Sequence, residues 1–219
     1  PLPMPSQRYG TVPDSVWKKR KFDQEWSQSD TLNATIGQGY VLVSPLQLAV
    51  QMARIASGKM LHPTLIMGQQ KPAAPLNIPP EHLHVVRQRT DMVVNGSGTA
   101  VRSRLNPDRV RMAGKTGTAQ VRKISGSQRG QSGAWKYRDH GLFVFFTPAD
   151  APKYAGAVVI EHGLGGARAA APVAKDMMTY LYDPAQAMAS LTALEAGWGG
   201  DPGERLAKKS AAYRLANDP

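Results

Sequence analysis

A short stretch near the middle of the chain, residues 112–121, contains the sequence Lys115-Thr116-Gly117-Thr118. The pattern predicts an extended strand in which Thr116 and Thr118 project to one side and Lys115 and Gly117 to the other. Gly117 has no side chain, so another molecule can approach the backbone there. Two hydroxyls can hydrogen-bond a carboxylate, the ammonium supplies positive charge, and strand-edge N–H groups can hold a developing oxyanion. The stretch therefore predicts a ligand-binding strand, with an ordinary edge strand that happens to contain K-T-G as the alternative.

The composition indicates a globular protein without disulfides. The chain has 219 residues, of which 42% are hydrophobic, and this is enough for a sizeable core. Its apolar runs fall short of the ~20 residues that a membrane-spanning helix needs. The absence of cysteine excludes disulfides and thiolate metal sites. The chain begins Pro-Leu-Pro-Met-Pro, without an initiator methionine or a signal peptide, and we therefore expect it to be a piece of a longer protein.

The charge balance favours an anionic partner but not nucleic acid. There are 27 basic and 16 acidic residues, giving a net charge of +11. The densest basic cluster, residues 18–21, lies outside any nucleic-acid-binding motif, so a membrane surface or an anionic wall polymer is at least as compatible. The five histidines are not spaced as metal ligands, and we predict neither a metal nor a cofactor. They are His62, His82, His84, His140 and His162.

The chain contains one S-x-x-K sequence, Ser15-Val16-Trp17-Lys18. In some acyl-transfer enzymes this pattern supplies a serine nucleophile and its lysine base. Such a lysine must be desolvated to lose its proton, whereas Lys18 is followed by three more cations in a short segment that we expect to be exposed. We therefore predict a surface helical turn, capped by Asp14, at this position.

Two helices are predicted before the ligand strand. Ser44, Pro45 and Gln47 form a capping box with proline at the first helical position, and Gly58 ends the helix. Because this helix is apolar most of the way round, we expect it to be buried in the core. A second helix is predicted over residues 81–95, and Thr99 is predicted to cap a further turn.

The sequence after residue 108 predicts an antiparallel meander. Strands are predicted over residues 109–121, 141–147 and 154–161, the last two so apolar that both their faces should be covered by helices. A closing helix is expected over about residues 170–182, after a flexible glycine-rich loop at 163–166. The long loop over residues 122–139, which carries Trp135 and Tyr137, is predicted to be mobile, to flank the ligand groove and to order when a ligand binds.

Five segments in this order resemble the C-terminal half of the transpeptidase domain of class B penicillin-binding proteins, most of all the rod-elongation type, penicillin-binding protein 2. They are NATIGQGYVLVSPLQ, AGKTGTAQ, GLFVFF, YAGAVVIEHG and GGARAAAPVAKDMM. The resemblance covers roughly residues 8–182. It implies an α+β fold, an antiparallel sheet covered by helices, as in penicillin-binding proteins and serine β-lactamases. We assign residues 1–183 to this domain and residues 184–219 to a tail that is partly helical or disordered.

The resemblance implies a serine D,D-transpeptidase that cleaves D-Ala-D-Ala stem peptides of peptidoglycan, forms 4-3 cross-links and is a target of β-lactams. Lys115 and Thr118 would be the catalytic residues of this part, Lys115 through its charge and Thr118 through a backbone N–H in the oxyanion hole. Thr116 and Thr118 would bind the substrate carboxylate, and Gly117 would let the ligand lie against the strand. The implied location is the periplasmic face of the inner membrane, with an N-terminal anchor outside this chain. The implied partners are stem peptides, β-lactam antibiotics and a glycan-polymerising membrane protein of the elongation machinery.

The family's first two motifs, S-x-x-K on a buried helix and S-x-N, precede the matching region, and S-x-N does not occur in the 219 residues. The nucleophile is therefore expected in the upstream half of the domain, and the isolated chain is predicted to be inactive. The strand at 154–161 should be paired with a strand of that half or left as an edge. A β-lactamase or β-lactam sensor of the same fold, and a non-catalytic basic module that binds an anionic polymer, are the alternatives.

Overall fold

The computed structural model describes residue 2 and residues 7–106, 108–121 and 134–217. The chain divides into two compact units, residues 1–174 and 175–219. The division falls earlier than the boundary at residue 183 that the sequence suggested.

Within the described residues four helices precede the sheet, and three of them begin at a side chain that caps the helix. In the helix Pro45–Ser57, Ser44 accepts a hydrogen bond from the N–H of Gln47 while the Gln47 side chain accepts from the N–H of Ser44, and Gly58 ends the helix at φ 71°. The predicted capping box and the predicted helix end are both confirmed. The helices are α1 (Ser15–Phe22), α2 (Gln28–Thr35), α3 (Pro45–Ser57) and α4 (Pro80–Asn95), and a single 3-10 turn follows at Val101–Ser103.

The sheet has three antiparallel strands in the order β1-β2-β3: β1 (Ala113–Ala119), β2 (His140–Thr147) and β3 (Tyr154–Ile160). Thr116 lies opposite Phe143 in the β1–β2 register. The predicted meander is confirmed. The first strand is shorter than the predicted residues 109–121, because a turn closed by the Val110 N–H and the Asn106 carbonyl precedes it.

The core lies on both faces of this sheet. On one face, Met52 and Ala56 of α3 pack against Ala113 and Phe146. On the other face, the buried rings of Phe143 and Phe145 stack with their centroids 6.0 Å apart. β1 is thus held in a sheet that packs against side chains on both of its faces.

Two apolar elements are less buried than the sequence predicted. In α3 only Met52 and Ala56 are buried, and β3 is half-buried along most of its length. The prediction that both elements are fully covered is wrong for the described residues. There α3 packs mainly against β3, β2 and α4, and β3 packs mainly against α3 and its neighbour β2, which leaves most of their apolar side chains half-buried. The expectation that β3 is an edge within this chain agrees with the strand order.

The last part of the chain is more helical than the sequence suggested. After a π-helical turn at Gly166–Ala170 come α5 (Ala171–Tyr182), α6 (Pro184–Gly197) and α7 (Pro202–Asn217). Alanine-rich sequences with proline at the first helical position favour helix even without a packing partner. No helix in the described part of the chain is both long and apolar enough to span a membrane.

Candidate functional site

The backbone of β1 exposes polar groups on the side away from β2. The carbonyl of Thr116 accepts from Lys115 Nζ at 2.7 Å, and the carbonyl of Thr118 accepts from Gln38 Nε2 at 2.7 Å. In an antiparallel strand the N–H and C=O of one residue point to the same side. The N–H groups of Thr116 and Thr118 therefore also face away from β2, where they can bind a ligand that approaches this edge.

The two threonine side chains of β1 have different surroundings. Thr116 is half-buried, and its hydroxyl lies 2.8 Å from the hydroxyl of Thr99. Thr118 is exposed and borders Gly165, where an added Cβ would lie 3.9 Å from Thr118 Oγ1. Thr99 was predicted to be a helix cap, but the 3-10 turn is preceded by Ala100 and has no side-chain cap. That prediction is wrong, because Thr99 faces β1 instead.

The glycines around β1 allow close packing. A Cβ at Gly117 would meet its nearest neighbour, Leu142 Cβ, at 3.4 Å, so Gly117 leaves open space beside the strand. A Cβ at Gly166 would lie 1.9 Å from the carbonyl oxygen of Leu142 and 2.7 Å from that of Gly117. The loop at 163–166 was predicted to be flexible, yet Gly166 fits tightly against the backbone of β1 and β2. The sequence carries no local signal of this contact.

An apolar groove of about 940 Å³ opens beside Gly117 and Thr118. The N-terminal segment, α3 and α4 also contribute to it. Several of its large apolar side chains are more than two-fifths exposed: Tyr9, Val12, Ile36, Val43, Ile78 and Val86. The candidate ligand strand thus borders an apolar surface that nothing in the described residues covers.

The S-x-x-K sequence does not form a nucleophile and base. Ser15 is exposed, whereas Lys18 is only 6% exposed and its Nζ lies 2.5 Å from Asp30 Oδ2. The expectation that Lys18 is exposed is therefore wrong. α2 brings Asp30 to it, and the Tyr40 ring lies 5.8 Å from its Nζ. An ammonium that donates to a carboxylate is not available as a base, so Ser15 is still not a candidate nucleophile.

The same ion pair changes the acidity of Asp30. Hydrogen bonds from the Lys18 ammonium first, and then from the side chain and backbone of Ser27, lower the pKa of Asp30 from 3.8 to about 2. Asp30 also belongs to the capping box of α2. It therefore joins α1 to the first turn of α2.

The end of the β1–β2 loop contains an aromatic and histidine cluster. Trp135 is 60% exposed and its ring lies 4.2 Å from the His162 ring, while the His162 N–H donates to His140 Nδ1 at 2.9 Å. Most of the loop predicted to be mobile and to flank the groove, residues 122–133, lies outside the described residues. Within the described residues no cluster of His, Asp or Glu could hold a metal ion.

Comparison with known proteins identifies the family of this chain. Residues 7–179 match the penicillin binding protein transpeptidase domain. The chain is 35% identical over 192 residues to the peptidoglycan D,D-transpeptidase MrdA of Acinetobacter baumannii, which covers 81% of this chain and 28% of that protein.

Solved structures of penicillin-binding proteins are also similar to this chain. The complex of penicillin-binding protein PBP2 with MreC from Helicobacter pylori superposes with a TM-score of 0.72 and 31% identity over 84% of this chain and 33% of that chain. Pseudomonas aeruginosa PBP2 in complex with WCK 5153 gives a TM-score of 0.63 and 34% identity over 78% of this chain and 36% of that chain. The predicted α+β fold and the predicted resemblance to penicillin-binding protein 2 are confirmed.

The chain spans less than a third of the length of the curated relatives it matches, 28 to 30% of each. The match nevertheless includes the Lys115–Thr118 strand, the sheet and α3. On this evidence the chain belongs to the penicillin-binding protein transpeptidase domain family.

Proposed function

We propose that this chain is the part of a serine peptidoglycan D,D-transpeptidase that binds the substrate against β1. The observation that carries the proposal is the edge of β1, where the amides of Thr116 and Thr118 face away from the sheet next to an open groove. Lys115 adds positive charge at the same edge.

Each residue of this edge has a role in acyl transfer. The hydroxyls of Thr116 and Thr118 and the charge of Lys115 hold the terminal carboxylate of a D-Ala-D-Ala stem peptide. When a serine attacks the scissile carbonyl, the oxygen becomes an oxyanion, and the N–H of Thr118 donates to it. D-Alanine then leaves, and an amine of a neighbouring stem peptide takes the acyl group. Gly117 allows the substrate to lie directly against the strand.

The nucleophile of this reaction belongs to a segment outside these 219 residues. The chain has no S-x-N sequence, and its single S-x-x-K has its lysine bound to Asp30. The uncovered apolar groove beside Thr118 supports the same conclusion, because a stable protein covers an apolar surface of this kind. We expect the upstream half of the domain to provide both the serine and that cover, and the isolated chain to be inactive.

The cellular location, the partner and the inhibitors of the protein follow from the same proposal. Its substrate would be peptidoglycan outside the cytoplasm, so we place the complete protein at the periplasmic face of the inner membrane, with its anchor in a segment outside this chain. A glycan-polymerising membrane protein of the elongation machinery is the proposed partner. β-Lactams, which imitate D-Ala-D-Ala, are the proposed inhibitors.

The rate of acylation by a fluorescent penicillin tests the proposal in the complete protein. Charge-assisted hydrogen bonds contribute roughly 1.5 to 3 kcal/mol, so Lys115→Ala and Thr118→Val should each slow acylation by at least about tenfold. Lys153→Ala and Thr192→Val change exposed residues of the same types and should leave the rate unchanged.

The rate at which the acyl group is released, measured on the same protein, separates the alternatives. A β-lactamase would release the acyl group quickly, whereas a transpeptidase stays acylated. Salt-dependent binding of an anionic polymer that Lys115→Ala does not affect, without any acylation, would indicate a non-catalytic basic module.

A further inference from the structure

The turn after α4 holds Thr99 in a fixed position. Gly98 packs so closely on α4 that an added Cβ would lie 2.3 Å from Val93 Cα, and the N–H of the buried Ala100 donates to the Val93 carbonyl at 3.0 Å. Thr99 lies between these two anchored residues. Its backbone therefore has little freedom to move relative to α4.

The same turn is tied to β1 and to the residues around it. Asn95 Nδ2 donates to the Met112 carbonyl at 2.9 Å, immediately before β1 begins. The Arg104 guanidinium donates to the carbonyls of Asn95 and Gly96. These hydrogen bonds fix the distance between the turn and β1. The backbone positions of the turn and of the strand therefore bring the side chains of Thr99 and Thr116 into contact.

Two neighbouring hydroxyls can donate to a ligand. Each hydroxyl of Thr99 and Thr116 has one proton, and their mutual hydrogen bond at 2.8 Å uses one of the two protons. The second proton is directed elsewhere, and the oxygen that carries it is polarised by the bond it accepts. The Thr99 side chain is exposed, so a ligand on β1 can reach it.

We propose that Thr99 is a further carboxylate-binding residue of this site, forming with Thr116 a pair of hydroxyls that donates to the terminal carboxylate of the ligand. The proposal rests on the proposed function, since the carboxylate is that of the stem peptide or the β-lactam. Its physical basis is the fixed turn, the 2.8 Å contact and the exposure of Thr99. Sequence reasoning missed this role because residues 99 and 116 are joined only by the fold.

The test compares two ligands that differ only in the carboxylate. The second-order rate of acylation is measured for the complete protein with benzylpenicillin and with its methyl ester, in wild type, Thr99→Val and Thr99→Ser. Loss of one hydrogen bond to a charged group predicts that Thr99→Val slows acylation by benzylpenicillin about tenfold. The rate with the ester should change by less than about twofold, and Thr99→Ser should restore most of the benzylpenicillin rate.

The outcomes are distinct. An equal loss with both ligands would show that Thr99 only supports the fold of β1 and would overturn the proposal, as would an unchanged rate with benzylpenicillin. A Thr99→Val protein that does not fold leaves Thr99→Ala, which keeps the same comparison of acid and ester. Failure of the wild-type protein to be acylated by either ligand would instead overturn the proposed function itself.

Discussion

Gln38 illustrates how one side chain can fix the ligand edge. It lies 80 residues before Thr118 in the sequence, and its Nε2 donates to the Thr118 carbonyl at 2.7 Å. Gly37 and Gly39 on either side have φ of 73° and 71°, a left-handed conformation that glycine adopts without strain. The backbone of this short loop therefore directs Gln38 at β1, and the contact keeps the end of the strand in place.

Replacing Gln38 with alanine should weaken the site. One neutral hydrogen bond contributes about 0.5 to 1.5 kcal/mol, so Gln38→Ala in the complete protein should slow acylation by fluorescent penicillin by roughly two- to tenfold. Gln69→Ala, which alters an exposed glutamine with no contact to β1 in the described structure, is the control. Faster acylation by Gln38→Ala would contradict this account, because it would mean that Gln38 occupies the position of the ligand.

Asp30 provides a prediction about acid stability. Its pKa is lowered to about 2 in the folded protein, so the ionised form is favoured by folding. The resulting stabilisation is present above the ordinary value of 3.8 and is lost as the pH falls through about 2. In urea unfolding between pH 5 and pH 2, Asp30→Asn should start less stable and lose less stability than wild type over this range. Parallel losses in the two proteins would show that the Lys18–Asp30 pair does not contribute.

At the scale of elements, the sheet and the loop at 163–166 are packed tightly together. Gly141 and Gly166 both lie where a side chain would collide with backbone atoms, the first with Gly165 and the second with Leu142 and Gly117. The π-helical turn that begins at Gly166 is thereby held against β1 and β2. The position of β1, and with it the site, depends on this close approach.

A pair of glycine substitutions separates support from binding. Gly166→Ala should lower the free energy of unfolding by about 1 to 3 kcal/mol, because the added methyl group has no room. Gly117→Ala should leave the melting temperature nearly unchanged, since its Cβ would make an ordinary contact at 3.4 Å, but it should slow acylation by blocking the approach of the ligand. Thermal unfolding and acylation rates of both variants check this. A stable Gly166→Ala protein would disprove the tight packing.

The elements that the sequence predicted well are those with local signals. The Ser44 and Gln47 pattern predicts the start of α3, Gly58 predicts its end, and short, nearly continuous apolar runs predict the later strands of the meander. The Lys115–Thr118 residues also lie on a strand, as their pattern indicates. These features depend on hydrogen bonds or periodicities within a few residues.

The features that the sequence did not predict depend on contacts between distant segments. The burial of Lys18 needs Asp30 on another helix, and the contact of Thr99 needs Thr116 on the sheet. The tight fit of Gly166 needs the backbone of β1 and β2. Composition near each residue does not encode such contacts, so they appear only in the folded structure.

At the scale of the whole molecule, the described residues are, under this proposal, one part of a larger binding site. The chain covers 28% of the Acinetobacter baumannii relative, β3 has one unpaired edge within the described residues, and the groove beside β1 is apolar. We propose that this part supplies carboxylate recognition and that the activated serine lies in another segment. The central claim is therefore that recognition and nucleophile come from different segments of the complete protein.

The site of covalent attachment tests this claim most directly. The complete protein is incubated with a penicillin, digested, and the modified serine is located by mass spectrometry, with the isolated 219-residue chain treated in parallel. We predict one penicilloyl adduct on a serine outside these 219 residues, and no adduct on the isolated chain, because recognition without a nucleophile gives only reversible binding. A stable adduct on Ser15, in either sample, would contradict the account.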